Sequence, residues 1–183
     1  LTLKSIHKMK NKGVVHVLVG DGPELNLIQK TIDELKINNR VILVGFVPLE
    51  KVHLYFQASD IYCQTSVDVL TKVEGGSYIH TETMGRSFCE AFACNIPVIT
   101  TDVGGISEIV YNKQNGFLIK KISAKQIAQH LDILVNNTEL RKQMGKWGRE
   151  YMIKKLSWKI VFKNYIKKFL YENSDCSRTG SRF

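Results

Sequence analysis

The stretch His80–Val110, HTETMGRSFCEAFACNIPVITTDVGGISEIV, decides the fold of this chain. Its opening residues form a loop that leads into a predicted helix over Arg86–Asn95. The short run Ile96–Thr100 is apolar and β-branched, which is typical of a buried strand. Gly104 and Gly105 then mark a turn. A helix followed closely by a buried strand predicts an α/β unit.

The start of this helix is suited to binding an anion. The first N–H groups of a helix lack intrahelical partners and carry roughly +0.5 of an elementary charge. Gly85 has no Cβ, so a phosphate can approach its backbone closely. Arg86 is unfavourable beside the helix dipole, and the i, i+4 order in which it pairs with Glu90 helps little. A diphosphate bound at the helix start would explain Arg86 better.

Glu90 is the candidate for holding a ligand that carries hydroxyl groups. The helical period places it about 200° from Phe88 and from Phe92. Because the two phenylalanines are expected to face the core, Glu90 should point towards the loops. A carboxylate there can accept hydrogen bonds from two neighbouring hydroxyls, such as those of a ribose.

At these residues the chain resembles the donor-binding motif of retaining GT-B glycosyltransferases, namely family 4, or glycosyltransferase group 1. The matching residues are Glu82-x7-Glu90, Ala91-Phe92-Ala93-Cys94-Asn95-Ile96-Pro97-Val98 and Gly104-Gly105-Ile106-Ser107-Glu108. Thr83, Met84 and Asn95 replace a glycine, a phenylalanine and a second glycine of the family pattern. The long spacing makes the match specific. The other interpretation is a surface helix with incidental glutamates in an unrelated α/β protein.

The resemblance implies roles for the residues of this motif. Glu82 would be the catalytic residue that contacts a sugar hydroxyl, and Glu90 would hold the ribose. The diphosphate would lie at the helix start, beside the donor-binding residues Met84, Gly85, Arg86 and Ser87. His80 would touch the donor sugar without transferring a proton, although a locally bonded loop histidine is the alternative. No metal or other cofactor is expected, since GT-B enzymes need none and no Asp-x-Asp motif is present.

Three further loops resemble parts of the same donor site. Gly20-Asp21-Gly22-Pro23 resembles the family's G-x-G-P turn, and Gly45-Phe46-Val47 resembles the loop that meets the nucleobase. Thr65-Ser66 stands where the family commonly has Pro-Ser. Each follows a predicted strand, and ligands of parallel sheets bind at the carboxyl ends of the strands. Gly20, Gly22, Val47 and Ser66 are therefore donor-binding candidates, whereas the lack of a third glycine disfavours a dinucleotide-binding dehydrogenase.

Alternation of short apolar strands with helices predicts a Rossmann-like parallel sheet with helices on both faces. The predicted strands are Val14–Gly20, Val41–Val44, Asp60–Gln64, Ile96–Thr100 and Gly116–Lys120. The predicted helices are 1–11, 24–36, Leu49–Ala58, Arg86–Asn95, Ala124–Val135, Leu140–Lys155 and a last one from Ser157 to about Leu170. Val67–Thr81 is predicted to be a flexible loop, either near the sugar or as a tolerated insertion.

The resemblance makes residues 1–172 the C-terminal, donor-binding lobe of a GT-B fold. The family's first strand, with an Arg and a Lys for the diphosphate on and just after it, would precede Leu1. The N-terminal acceptor domain is not in this chain, so the piece alone is expected to bind donor without efficient catalysis. Residues 173–183 are polar and predicted to be disordered.

Composition favours a globular protein of the cytoplasm. The chain has 183 residues, of which 44% are hydrophobic, and no apolar run reaches the roughly 18 residues of a membrane span. Its polar, lysine-rich beginning does not resemble a signal peptide. Cys63, Cys89, Cys94 and Cys176 form no CxxC pair, which favours reduced structural thiols over a metal site.

The net charge of +9 is concentrated near the C-terminus, where residues 138–172 hold ten Lys and Arg against three Glu. The last predicted helix combines an apolar stripe with intervening lysines. The stripe is Trp158, Phe162, Tyr165, Ile166 and Phe169, and the lysines are Lys159, Lys163 and Lys167. We expect peripheral contact with an anionic membrane that carries a lipid-linked acceptor, and no nucleic acid partner. A solvated helix face is the alternative.

The resemblance implies transfer of a sugar from a nucleotide diphosphate sugar to an acceptor, with retention at the anomeric carbon. Synthesis of a cell-surface polysaccharide or a glycolipid is the expected context. The alternatives are a GT-B sugar-nucleotide epimerase and a binding module without turnover.

Overall fold

The computed structural model describes residues 1–120 and 122–176. The helices are α1 (Thr2–Lys8), α2 (Leu25–Glu34), α3 (Leu49–Gln57), α4 (Arg86–Ala93), α5 (Ala124–Val135), α6 (Thr138–Tyr151) and α7 (Trp158–Cys176). The strands are β1 (His16–Val19), β2 (Val41–Gly45), β3 (Tyr62–Gln64), β4 (Val69–Val73), β5 (Gly76–His80), β6 (Val98–Thr101) and β7 (Gly116–Ile119).

The five strands expected from the sequence correspond to β1, β2, β3, β6 and β7, and they pair in parallel, as predicted. β1 pairs with β2, and β6 lies between β3 and β7, with Cys63 opposite Ile99 and Ile99 opposite Phe117. These pairings form two separate parallel sheets rather than the one expected sheet. The α/β class is confirmed, and the division of the sheet is a feature that the sequence pattern does not show.

Strand β6 carries the core on both of its faces. Val98 packs with Phe88 and Phe92 of α4, whereas Ile99 packs with Ile127 of α5. Because successive side chains of a strand point to opposite faces, the two clusters lie on opposite sides of the sheet. Helices therefore cover both faces of this sheet, and the expected inward direction of Phe88 and Phe92 is confirmed, since both are fully buried.

The end of α4 explains why asparagine stands at position 95. Asn95 has a φ of 59°, a left-handed conformation that glycine and asparagine adopt more easily than other residues. The N–H of Asn95 donates to the carbonyl of Phe92 at 3.0 Å, and that of Ile96 donates to Ala91 at 2.9 Å. This is a Schellman motif, which ends the helix and turns the chain into β6.

The segment predicted to be a flexible loop, Val67–Thr81, is instead largely an antiparallel hairpin. β4 pairs with β5 from Val69 opposite His80 to Val73 opposite Gly76. Gly75, with a φ of 89°, lies in the two-residue turn. Gly75 therefore allows a tight hairpin turn and does not make the segment a flexible loop. The prediction failed because β-branched residues on both sides of the turn form strands.

Several predicted boundaries also move. α1 ends at Lys8, and α6 ends at Tyr151, after which Met152–Leu156 forms a π-helical turn. The Ser157 carbonyl accepts hydrogen bonds at the start of α7. The helix continues to Cys176, and residues 177–183 of the tail predicted to be disordered lie outside the described residues.

Close packing of α6 against the end of α4 gives a first prediction. A Cβ on Gly145 would overlap the carbonyl oxygen of Asn95. Gly145→Ala should therefore destabilise the chain by about 1–3 kcal/mol, through forced displacement of a packed backbone. Without that contact, alanine would stabilise a helix interior by roughly 0.5–1 kcal/mol.

Urea unfolding followed by circular dichroism measures this change. Gln143→Ala, at an exposed position of the same helix, is the matched control and should stay within about 0.5 kcal/mol. A stabilising Gly145→Ala would show that α6 does not approach Asn95 as described.

Candidate functional site

The side chain of Gln64, the last residue of β3, connects several candidate residues at the carboxyl end of that strand. Its Oε1 accepts hydrogen bonds from the Tyr62 hydroxyl at 2.6 Å and from Ser87 Oγ at 2.8 Å. Its Nε2 donates to Ser66 Oγ at 3.0 Å and to Glu82 Oε2 at 3.2 Å. These four bonds use the full hydrogen-bonding capacity of a carboxamide. Gln64 therefore brings three predicted site residues, Ser66, Glu82 and Ser87, into one network.

Two backbone segments hold Glu82 and Ser66 in place. The N–H of Gly105 donates to the Glu82 carbonyl at 3.0 Å. A Cβ on Gly104 would overlap that same carbonyl oxygen, so only glycine allows the two loops to approach this closely. Thr101 Oγ1 donates to the carbonyl of Ser66. The turn after β6 thus fixes the backbone on which the Glu82 carboxylate stands.

Gly85 has a conformational and a packing reason to be glycine. Its φ is 72°, and a Cβ there would lie 2.5 Å from the ring of Phe88, which is fully buried. The sequence interpretation assigned Gly85 to close approach of a phosphate. The structure adds that any side chain would also disturb the start of α4.

Glu90 faces a cavity of about 620 Å³. Gly20, Val47 and Ser87 line the same cavity, so the carboxyl ends of β1 and β2 meet α4 there. Glu90 is exposed while Phe88 and Phe92 are buried, as the helical period predicted. A ligand in this cavity could contact the Glu90 carboxylate and, through Ser87, reach the Gln64 network.

Other predicted donor-binding residues are not brought into these contacts. Gly22, Met84 and Arg86 are exposed and do not line the cavity. Arg86 and Glu90 lie four residues apart on α4, and neither belongs to an ion pair in the described part of the chain. His80 is a strand residue of β5 rather than a loop residue, and its ring lies 4.7 Å from that of Tyr78.

Gln64 was not among the residues predicted from the sequence. Its position at the carboxyl end of a predicted strand, where polar side chains of parallel sheets meet ligands, was the available signal. Burial raises the pKa of Tyr62, so the Tyr62 hydroxyl remains a donor to the Gln64 carbonyl at neutral pH.

Cys63, Cys89 and Cys94 are free and partly buried. Burial raises the pKa of Cys63 to about 12 and also raises the pKa values of Cys89 and Cys94. Thiols of this kind remain protonated at neutral pH and pack as small apolar groups. Among the side chains of residues 1–120 and 122–170, no group of three His, Cys, Asp or Glu is arranged to hold a metal ion.

A comparison with known families identifies the chain. A model of glycosyl transferases group 1 matches residues 1–151. The chain belongs to this family. An uncharacterised glycosyltransferase of Methanocaldococcus jannaschii is 28% identical over 156 residues, which cover 85% of this chain and 36% of that protein. This chain spans about a third of the length of such curated relatives.

Solved structures share the fold of this chain. Anabaena HepE, solved in complex with UDP, gives a TM-score of 0.77 at 21% identity over 93% of this chain and 44% of that one. The C-terminal domain of the group 1 protein LpcC from Francisella tularensis gives 0.68 at 21% identity. That match covers 85% of this chain and 77% of the LpcC domain. These likenesses show the α/β fold.

The two constraints on Gly85 give a second prediction. Gly85→Ala should destabilise the ligand-free chain by roughly 1–2 kcal/mol for the positive φ, and by a further roughly 1–3 kcal/mol for displacing Phe88. Gly45→Ala is the matched control, because Gly45 has a φ of 77° with open space around its Cβ position. Chemical denaturation measures the free energy of unfolding of both variants, and the difference between their losses is the cost of displacing Phe88. Equal losses would contradict the contact between Gly85 and Phe88.

Proposed function

We propose that this chain is the donor-binding, C-terminal lobe of a retaining GT-B glycosyltransferase of family 4. The Gln64 network carries the proposal, because it joins Glu82 to Ser87 beside the cavity that Glu90 lines. A carboxylate in the cavity wall, a helix start beside it and a second carboxylate joined to Ser87 through Gln64 suit a ligand that has both hydroxyl groups and a diphosphate.

The nucleotide part of the donor would occupy the cavity. Glu90 would accept hydrogen bonds from the ribose hydroxyls, and the loop of Val47 would contact the base. The diphosphate would lie at the start of α4 beside Ser87, where the helix dipole offsets the negative charge that develops on the leaving group. We propose that no metal ion takes part.

The sugar part would lie against Glu82. The hydrogen bond from Gln64 Nε2 orients the Glu82 carboxylate, which would accept from a sugar hydroxyl. Gln64 is thus a positioning residue and Glu82 the proposed catalytic one. Because the acceptor domain is expected on another part of the polypeptide, the chain alone would bind donor without efficient turnover, and transfer to a polysaccharide or lipid-linked acceptor would need the whole enzyme.

Donor binding gives a third prediction. Glu90→Gln should weaken binding of the preferred nucleoside diphosphate by about 1.5–3 kcal/mol, the worth of hydrogen bonds to a charged group. The fold should be unaffected, since the Glu90 side chain is exposed. Isothermal titration with UDP, GDP and ADP measures the change.

Glu34→Gln is the matched control for this titration, because Glu34 is an exposed glutamate of α2 whose only described ion pair, to Lys30, is a long one of 3.9 Å. It should bind nucleotide as the unchanged chain does. Identical affinities of the Glu90 and Glu34 variants would remove Glu90 from the site.

We further propose that α7 contacts the cytoplasmic face of an anionic membrane. Trp158, Phe162, Tyr165 and Phe169 are between 55% and 87% exposed and lie on one stripe of the helix. By the helical period, Lys159, Lys163 and Lys167 lie about 100° to 180° around the helix from Trp158. Aromatic and basic faces side by side suit the boundary of an anionic bilayer. In the described residues, no helix is long and apolar enough to cross a membrane.

Vesicle sedimentation gives a fourth prediction. The chain should bind vesicles that contain phosphatidylglycerol, and binding should fall as salt rises, because charges are screened over about 10 Å at 0.1 M ionic strength. Charge reversal of Lys159, Lys163 and Lys167 to Glu should abolish binding, whereas the same reversal of Lys10, Lys12 and Lys36 should not. Undiminished vesicle binding of the first variant would show that Lys159, Lys163 and Lys167 form a solvated helix face and do not contact the membrane.

A further inference from the structure

The hairpin formed by β4 and β5 extends from the candidate site without joining the core. Its apolar side chains belong to none of the three hydrophobic clusters that the described residues form. Leu70 and Ile79 are 58% and 62% exposed, and Val69 and Tyr78 are about half exposed. Because a two-stranded hairpin is only marginally stable in water by itself, this one needs anchoring at its base and gains from a partner on its exposed faces.

Both ends of the hairpin are anchored in the Gln64 network. Ser66, three residues before β4, and Glu82, two residues after β5, each accept a hydrogen bond from Gln64 Nε2. Thr101 Oγ1 and the N–H of Gly105 donate to the carbonyls of the same two residues. Since two residues of extended chain span at most about 7 Å, the base of the hairpin lies close to the backbone of Glu82.

Strand pairing gives the hairpin two faces of different composition. Paired residues of an antiparallel ladder share a face, and successive residues alternate between the two faces. The first face, called the aromatic face below, carries the side chains of Val69, Thr71, Val73, Tyr78 and His80. The opposite face carries those of Leu70, Lys72, Ser77 and Ile79. On the aromatic face, the rings of Tyr78 and His80 meet edge to face with their centroids 4.7 Å apart.

The chemistry of the aromatic face suits a sugar ring. The C–H groups on one side of a sugar ring form an apolar surface, which packs against the electron-rich face of an aromatic ring. The hydroxyls of Tyr78 and Thr71 and an imidazole nitrogen of His80 can exchange hydrogen bonds with the hydroxyls at the edge of the sugar. Because the face carries no Asp, Glu, Lys or Arg, an uncharged sugar suits it best.

The aromatic face lies outside the cavity assigned to the nucleotide. No residue of the hairpin lines either of the two cavities beside β1 and β3, and this includes His80, which was expected at the donor sugar. Through the bonds of Gln64, Glu82 is joined to Ser87, which lines the larger cavity. A sugar on the aromatic face would therefore approach Glu82 from outside that cavity, where a second substrate would have to enter.

We propose that the aromatic face of the hairpin binds an uncharged sugar of the acceptor. The inference rests on the proposed function, because it takes Glu82 as the residue at which the donor and acceptor sugars meet. The acceptor ring packs on Tyr78, while Thr71 and His80 form hydrogen bonds with its hydroxyls. Residues 67–81 are then an element that selects the acceptor and not a tolerated insertion.

Nuclear magnetic resonance titration of the chain with methyl glycosides tests the proposal. The probes are the methyl glycosides of glucose, galactose, mannose and N-acetylglucosamine, and the chemical shifts of the protein report where each one binds. At least one should bind with a Kd of about 1–20 mM, the range expected for a ligand of this size on an open surface. The protons of its sugar ring should show nuclear Overhauser contacts to the ring of Tyr78.

Substitutions on the two faces identify the side chains that bind the glycoside. Tyr78→Ala should weaken binding about tenfold or more, whereas Tyr78→Phe keeps the ring and should stay within about threefold. Ile79→Ala, on the opposite face, is the matched control and should bind as the unchanged chain does. Amide hydrogen exchange in β4 and β5 shows whether each variant keeps the hairpin paired. Where Tyr78→Ala loses that pairing, the Overhauser contacts of the unchanged chain and the Tyr78→Phe variant decide.

Three results of this titration would overturn the proposal. The first is that none of the glycosides binds, and the second is an equal loss in the Tyr78→Ala and Ile79→Ala variants. The third is that the bound glycoside contacts Ser87 and Glu90 in the cavity instead of Tyr78. Self-association that sedimentation detects and that Tyr78→Ala removes would assign the aromatic face to a second copy, and would also overturn the proposal.

Titration of the same samples with UDP, GDP and ADP distinguishes failure of this inference from failure of the proposed function. Tyr78→Ala should leave nucleotide affinity unchanged, because Tyr78 lies outside the cavity. Nucleotide binding without glycoside binding would overturn the acceptor site alone. Glycoside binding on the hairpin without nucleotide binding would contradict the proposed function, and the assignment of the sugar as an acceptor would be overturned with it.

Discussion

The geometry of the candidate site depends on the carboxamide of Gln64. This one group meets Tyr62 from its own strand, Ser66 from the segment that follows, Glu82 from beyond the hairpin and Ser87 from α4. A carboxamide has two N–H donors and one oxygen with two acceptor lone pairs, all in fixed directions. Its four partners are therefore held at fixed positions relative to one another. A partly buried network whose central group has all its partners is held in one arrangement, whereas loss of that group leaves several polar groups without partners at once.

The rest of the fold brings these partners together. β6 is buried on both faces and anchors α4 through the Schellman turn at Asn95. The turn at Gly104 and Gly105 then returns to support the Glu82 backbone. The glycines of the motif thus act mainly by permitting close backbone approach. The two glutamates are placed differently: Glu82 is held within the network, while Glu90 is exposed at the edge of a cavity.

Features that depend on local residue spacing could be predicted from the sequence, whereas features that depend on contacts between distant residues could not. The inward direction of Phe88 and Phe92, the outward direction of Glu90 and the bounds of α5 follow from local spacing, and the structure has them. Gln64 was missed because its importance comes from partners up to 23 residues away. The hairpin was missed because Gly75-Gly76 is equally compatible with a flexible loop and with a turn. The division into two parallel sheets was not predicted, since the residue pattern of a strand does not indicate whether strands pair with it on one edge or on both.

Affinity of a Gln64→Leu variant for a sugar nucleotide and for its parent nucleoside diphosphate tests this account most directly. Leucine keeps the apolar volume but removes every hydrogen bond of the network. If Gln64 positions Glu82 for the sugar, the variant should lose roughly tenfold more affinity for the sugar nucleotide than for the nucleoside diphosphate, about 1.4 kcal/mol. Urea unfolding of the same samples confirms that the variant is folded. Equal losses for the two ligands, or none, would contradict the claim that Gln64 orients Glu82 towards the sugar.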